Sequence, residues 1–127
     1  MSDVPDGLRY SKDHEWAKVD GNRARIGITD HAQRELTDVV YVELPPVDKV
    51  VRQGEALGTV ESVKAVSEIF SPLSGRVVEV NKGLEGTPEA VNRSPYGDGW
   101  MVVLEVANPD DAKALMDAAA YRTHVGA

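Results

Sequence analysis

The sequence predicts a mainly β protein, a small two-sheet sandwich with a short helix after its first hairpin and a second helix near the C-terminus. Three observations carry that reading. Valine-rich runs recur along the chain, each bounded by Gly, Pro, Asn or Asp, as expected of short strands joined by turns. Around Lys64 the apolar residues alternate, with Val60 before it and Val66 and Ile69 after it, as in two strands meeting at a tight turn. The halves on either side are also weakly alike: Val51-Arg52-Gln53-Gly54-Glu55 precedes the lysine, and Val77-Val78-Glu79-Val80-Asn81 followed by Gly83-Leu84-Glu85-Gly86-Thr87-Pro88 comes after it. A two-fold pseudo-repeat of this kind suits two small sheets packed face to face.

Tyr10 to Val19 reads as the first strand, Asp20-Gly21-Asn22 as a turn whose residues tolerate positive φ, and Arg23 to Ile28 as the returning strand. Asp30-His31-Ala32-Gln33 has the form of a capping box with Asp30 as N-cap, and Ala32 with Leu36 gives helical spacing for about two turns. Val39, Val40, Val42 and Leu44 form a strand that Pro45-Pro46 ends. Val50 to Gly54 leads into a turn, Ala56 to Val63 climbs to the lysine, and Val66 to Phe70 descends from it. Ser71-Pro72-Leu73-Ser74-Gly75 is a break, Arg76 to Val80 a strand, Asn92 to Gly99 a loop, and Trp100 to Val106 a further strand. Asn108-Pro109-Asp110-Asp111 then starts a helix: Asn caps it, Pro takes the first helical position, and the acids sit where the helix dipole favours them. Leu115, Met116 and Ala119 give it an apolar face, and Tyr121 to Ala127 is a basic end that frays. Trp16, Tyr41, Tyr96 and Trp100 read as packing residues.

At 127 residues the chain suits one domain over 1–127, able to bury roughly two thirds of the surface it exposes unfolded. The 14 basic and 21 acidic residues leave a net charge of −7, which disfavours nucleic acid and anionic lipid and suits partners with basic docking surfaces. With no cysteine the chain lacks thiol chemistry, so a redox role needs a borrowed group. His14, His31 and His124 lack metal-ligand spacing in sequence, and no metal is expected. No nucleophile, base and orienter share a motif. Met1-Ser2-Asp3-Val4-Pro5-Asp6 resembles neither a secretory signal nor a transit peptide, and no apolar run approaches the ~20 residues of a membrane helix, so a cytoplasmic protein is expected.

Taken alone, Lys64 is either an ordinary solvated lysine or a presented amine. At the tip of a hairpin its four-carbon stem stands clear of the body, as an acylating enzyme requires. The surrounding residues favour the second reading. Glu61-Ser62-Val63-Lys64-Ala65, followed by Ser71-Pro72-Leu73-Ser74-Gly75 and Val80-Asn81, closely resembles the lipoylation segment of the H-protein family of the glycine cleavage system. The likeness extends to His14-Glu15-Trp16, Gly27 to Gln33, Val42-Glu43-Leu44-Pro45, Val91-Asn92, Pro95 to Trp100 and the tail from Leu115-Met116-Asp117 to Tyr121, so it covers about Leu8 to about Arg122. Two places depart from the family pattern: Leu36-Thr37-Asp38 stands where a glycine is expected, and Pro46-Val47-Asp48 where a glycine often closes the turn.

The resemblance implies a lipoyl/biotinyl carrier fold of the hybrid-motif barrel-sandwich type, with the lipoyl-bearing hairpin at about 56–70 and a C-terminal helical segment at about 109–122. It implies lipoate in amide linkage on Lys64, attached by a lipoate ligase or lipoyltransferase. The arm then accepts the aminomethyl group left by the pyridoxal-phosphate-dependent glycine decarboxylase, presents it to the aminomethyltransferase for transfer to tetrahydrofolate, and is reoxidised by dihydrolipoyl dehydrogenase. The chain itself is a non-catalytic carrier, with the hard chemistry left to cofactor and partners. It is cytoplasmic if bacterial-type, in the mitochondrial matrix if processed, and monomeric, since no long apolar stripe is left over.

Glu61, Ser62, Val63, Ala65 and Glu68 are candidates for recognition by the lipoylating enzyme; Glu61 and Glu68 read otherwise as solubilising charges on edge strands. A loaded arm ends in an amine that is protonated at neutral pH, so a groove with acceptors or carboxylates suits it. Glu15, His31 and Glu68 are the groove candidates; the bland alternatives are a solvent-facing strand position for Glu15 and a first-turn helix residue for His31. Three other classes stay open: a lipoyl or biotinyl carrier of another complex, although Val63 and Ala65 stand where biotin carriers usually have methionines; a relay donating lipoyl groups to other proteins; and an unmodified binding module.

Overall fold

The computed structural model describes residues 2–126. Strands β1 (Arg9–Tyr10), β2 (Glu15–Asp20), β3 (Arg23–Ile28), β5 (Val50–Val51), β8 (Gly75–Val80) and β9 (Val102–Val106) form a six-stranded antiparallel sheet in the order β1-β2-β3-β9-β8-β5. Strands β4 (Val39–Glu43), β6 (Ala56–Ser62) and β7 (Val66–Phe70) form a three-stranded sheet in the order β4-β6-β7. Alternation along each strand supplies one apolar face, and the two faces meet: Ile26, Val77 and Leu104 of the larger sheet share a buried cluster with Val42, Val60 and Ile69 of the smaller. Burying each such side chain contributes about 1.5–3 kcal/mol. Gly58 lets β6 pass against β4, because a Cβ there would run into the carbonyl oxygen of Glu43.

The expected first strand is two strands. Ser11 to His14 turn the chain between β1 and β2, with His14 at φ 73°, a conformation that side chains other than Gly rarely take. Helix α1 (Asp30–Leu36) follows the first hairpin, but its cap is Thr29, whose hydroxyl accepts from Ala32 N at 3.2 Å. Asp30 is instead the first helical residue, and its carboxylate accepts from Gln33 Nε2 at 2.7 Å, Arg34 Nε at 2.9 Å and the backbone of Asp3 at 2.8 Å. Single turns α2 (Gly83–Gly86) and α3 (Ala90–Arg93) precede β9. The pseudo-repeat therefore breaks locally, since Gly83–Gly86 is helical where Arg52 to Glu55 is a turn.

The C-terminal segment is helical in two pieces. A 3₁₀ turn over Pro109–Ala114, capped by Asn108, gives way to an extended stretch in which Met116 exchanges two 2.8 Å backbone hydrogen bonds with Tyr10. Helix α4 (Ala118–Val125) then starts on Asp117, whose carboxylate accepts from Ala120 N at 2.9 Å. Tyr121 does not fray: it is fully buried with Val4, Tyr10, Trp16 and Ala118 in a second apolar cluster, its ring stacked on that of Tyr10 at 4.6 Å. Tyr96 and Trp100 pack against this cluster, whereas Tyr41 is 49% exposed on β4 and packs in neither. No described helix is long and apolar enough to cross a membrane.

Both departures from the glycine pattern fall on left-handed backbone. Thr37 has φ 65° and Asp48 φ 78°. Thr37 carries a β-branched side chain at ψ −144°, close to a region that is essentially glycine's own. Asn92 holds it there, donating to the Thr37 carbonyl at 2.7 Å and accepting from Val39 N at 2.9 Å. Thr37→Gly should relieve more strain than the added freedom of the unfolded chain takes back. The expected gain is about 1 kcal/mol, read as a higher urea midpoint at unchanged slope.

Candidate functional site

Lys64 lies on the turn between β6 and β7, whose register pairs Glu61 with Val66, Val60 with Ser67 and Thr59 with Glu68. Ser62 shapes this turn. Its backbone N–H donates to the Ala65 carbonyl at 2.8 Å, but the answering N–H of Ala65 goes to the Ser62 hydroxyl at 3.1 Å, with Lys64 N at 3.3 Å on the same oxygen. Val63 N donates to the Asp38 carbonyl at 3.1 Å, tying the tip to the start of β4. The turn's amides are thus satisfied internally, and the Lys64 side chain is left exposed. Glu61, Val63, Ala65 and Glu68 are exposed around it, while Ser62 is turned inward. Val63 and Val66, flanking the lysine, are 67% and 65% exposed.

Beyond the tip, β7 is an edge strand of the smaller sheet and borders a cleft of about 200 Å³. Asp13, His14, Glu35 and Glu68 line it together with Ile28 and Ile69. His31 stands beside it: its Nε2 is 2.8 Å from Glu35 Oε1, and its ring centroid is 4.5 Å from that of His14. Glu15 is not a solvent-facing strand residue. It is 2% exposed, takes a 2.5 Å hydrogen bond from the Ser11 hydroxyl and one of 3.3 Å from Phe70 N, and lines an adjoining cleft of about 470 Å³ that also contains Asp13 and Phe70. Glu15, His31 and Glu68 therefore do not share one wall. Asp13, His14 and Glu35 were missed by sequence reasoning; the i,i+4 spacing of His31 and Glu35 was visible, but the approach of His14 depends on the left-handed turn.

Behind the cleft, the Tyr121 hydroxyl lies 2.8 Å from His14 Nδ1 and 2.7 Å from the Thr29 hydroxyl. Burial pushes its pKa up to about 12, so it keeps its proton and can donate. Burial, and then the neighbouring His31, hold His14 below the usual imidazole range. Burial pushes Glu15 up to about 7 against the donors Ser11 and Phe70.

An acid whose folded pKa is raised binds its proton more tightly folded than unfolded, so its contribution is complete below the unfolded pKa and lost as pH rises through the folded one. For Glu15 that window runs from about 4.5 to about 7. On the order of 3 kcal/mol of stability should disappear across it, at 1.36 kcal/mol per pKa unit. Chemical denaturation at several pH values should show this decline in the difference between the native chain and Glu15→Gln, which cannot titrate. A flat difference would remove the assignment.

The family model described as glycine cleavage H-protein matches residues 8–126. The glycine cleavage system H protein of Anaeromyxobacter sp. (strain K) is 54% identical over 123 residues, 97% of this chain and 96% of that one. Its counterpart from Anaeromyxobacter dehalogenans (strain 2CP-1 / ATCC BAA-258) gives the same figures. The crystal structure of a glycine cleavage system H protein from Mycobacterium marinum superposes with a TM-score of 0.87 at 35% identity, over 98% of this chain and 100% of that one. An exposed lysine on a serine-stapled hairpin, within a two-sheet β sandwich that matches these relatives nearly end to end, makes this chain a member of the glycine cleavage H-protein family.

Proposed function

We propose that Lys64 carries lipoate in amide linkage and that the chain is the lipoyl-carrying shuttle of glycine cleavage, with no turnover of its own. The observation that carries this is the exposed Lys64 on a turn held by the Ser62 hydroxyl. When bound, lipoate supplies a dithiolane that accepts an aminomethyl group and is regenerated by oxidation. The chain's own residues present, orient and shelter it. Its partners in turn are the glycine decarboxylase, the aminomethyltransferase and dihydrolipoyl dehydrogenase, with a lipoate ligase or lipoyltransferase acting first. It meets them as a cytoplasmic monomer. Tethering gives the arm a high effective concentration at each active site, and the exposed Val63 and Val66 offer apolar contact beside it. Glu61, Val63, Ala65 and Glu68 form the surface a lipoylating enzyme reads, and Ser62 sets its shape from below.

The cleft along β7 is the arm's resting place. Glu68 is four residues from Lys64, about 13 Å along an extended strand, a span within reach of a lysine stem bearing an eight-carbon acyl chain. Glu68, Glu35 and Asp13 offer carboxylates to the ammonium end of a loaded arm. His31 orients Glu35 through their 2.8 Å contact, and Glu15 acts from the adjoining cleft.

Incubation with a lipoate ligase, ATP and lipoic acid should add the mass of one lipoyl group, mapped to the Lys64 peptide and absent in Lys64→Arg. No addition to the folded chain by a competent ligase would end the carrier reading. Separately, Glu68→Ala and Glu35→Ala should each shorten the lifetime of the loaded arm in water by about threefold to fivefold, the equivalent of the 1 kcal/mol or less that an exposed ion pair contributes. Unchanged lifetimes would remove the cleft assignment and leave Lys64 standing.

A further inference from the structure

His14 meets His31 and Glu35, 17 and 21 positions further along the chain, beside the cleft. One ring nitrogen of His14, one of His31 and a carboxylate oxygen of Glu35 lie within 4.8 Å of one another. His31 and Glu35 are i and i+4 on α1, so they leave the same helix face, with Nε2 and Oε1 2.8 Å apart. His14 comes from the turn between β1 and β2, which is pinned to α1 because Thr29 N donates to the His14 carbonyl at 3.0 Å. Its Nδ1 is engaged by the Tyr121 hydroxyl at 2.8 Å, which leaves Nε2 as its coordinating atom.

We propose that His14, His31 and Glu35 form a binding site for a divalent transition-metal ion of the zinc type. Two imidazoles and one carboxylate make a donor set suited to Zn²⁺, with a fourth position left to water. The two nitrogen donors disfavour Mg²⁺ and Ca²⁺, which require oxygen ligands. Tetrahedral bonds of about 2.0–2.1 Å place ligand atoms about 3.4 Å apart, so the 2.8 Å contact of His31 with Glu35 opens slightly when both bind one ion, which the 64% exposed Glu35 side chain permits by rotation. Two proton arrangements satisfy the His14–Tyr121–Thr29 chain. A metal on Nε2 selects the one in which Nδ1–H donates to Tyr121 and Tyr121 donates to the Thr29 hydroxyl, so that a buried hydrogen-bond chain fixes both the tautomer and the ring. Asp13 and Glu68, in the same cleft, offset the positive charge of the ion. Because His14 and Glu35 also line that cleft, the ion and a docked ammonium group exclude each other. That exclusion alone rests on the arm-docking reading; the metal site does not.

Calorimetric titration of the untagged, unlipoylated chain with zinc tests the site apart from any question about Lys64. One ion per chain is expected. His31→Gln and His14→Asn should each weaken binding by at least about tenfold, and Tyr121→Phe, which keeps the ring and removes only the hydroxyl, by about tenfold. Asn tolerates the left-handed backbone at position 14, and thermal melting verifies that each variant is folded. Cobalt(II) should give the visible absorption of a four-coordinate N,O site in the native chain and lose it in His31→Gln. Absence of saturable binding, or binding that His14→Asn and His31→Gln leave unchanged, overturns the proposal.

Discussion

The Tyr121 hydroxyl is where three segments of the chain are joined. Through His14 it fixes the turn between β1 and β2, through Thr29 it fixes the start of α1, and it stands on α4, the last helix. Each hydrogen bond contributes only about 0.5–1.5 kcal/mol net, but a buried donor or acceptor left without its partner costs about 1–3 kcal/mol. The three segments are therefore held in register more strongly than any single bond suggests. That register is what gives the cleft its walls, because Asp13 and His14 come from the turn, Glu35 from α1 and Glu68 from β7. The ring stack of Tyr121 on Tyr10 adds a second tie between the same helix and β1.

The tip is governed by a separate and more local device. A two-strand hairpin normally closes with reciprocal backbone bonds; here the Ser62 hydroxyl replaces one acceptor and takes two tip amides. The consequence is a lysine whose backbone is fixed and whose side chain has no partner among the described residues. The unequal sheets reinforce this division. The six-stranded sheet carries the turn between β1 and β2 and the Tyr10 and Trp16 side chains of the second apolar cluster, whereas the three-stranded sheet has β6 at its centre and β7 as an edge, so its end projects the turn.

The strands on either side of Lys64 were legible because two-residue alternation and turn chemistry are local properties, and β6 and β7 end within about a residue of the expected bounds. What escaped sequence reasoning depends on contacts between distant segments. Asp30 and Thr29 are both competent caps; Thr29 wins because the Asp30 carboxylate is occupied by Asp3, Gln33 and Arg34. Glu15, next to the buried Trp16, should point to the opposite face, yet Glu15, Trp16 and Ala17 are all buried because β2 is covered on both sides. In α4 only Ala118 and Tyr121 are buried, too sparse a stripe to distinguish a docked helix from a fraying one. Conversely, the departures at Leu36-Thr37-Asp38 and Pro46-Val47-Asp48 were visible in sequence, and each triplet has one residue, Thr37 and Asp48, with backbone in the left-handed region.

A shuttle constrains how strongly its own body can hold its arm. If the cleft bound the arm by several kcal/mol, each partner would have to overcome that difference before catalysis, since a competent state populated at fraction f lowers apparent affinity in proportion to f. Partly exposed carboxylates such as Glu35 and Glu68 are suited to this, because ion pairs in contact with water contribute about 0–1 kcal/mol. Contacts of that size would bias the proposed arm toward shelter between visits and be too weak to compete with a partner's active site. The buried Glu15 follows the opposite logic: with Ser11 and Phe70 N–H as its donors and no cation bonded to it among the described residues, its burial favours the neutral form. Strong fixation is confined to the backbone of the turn and the walls of the cleft, and weak interaction to the surface assigned to the proposed arm.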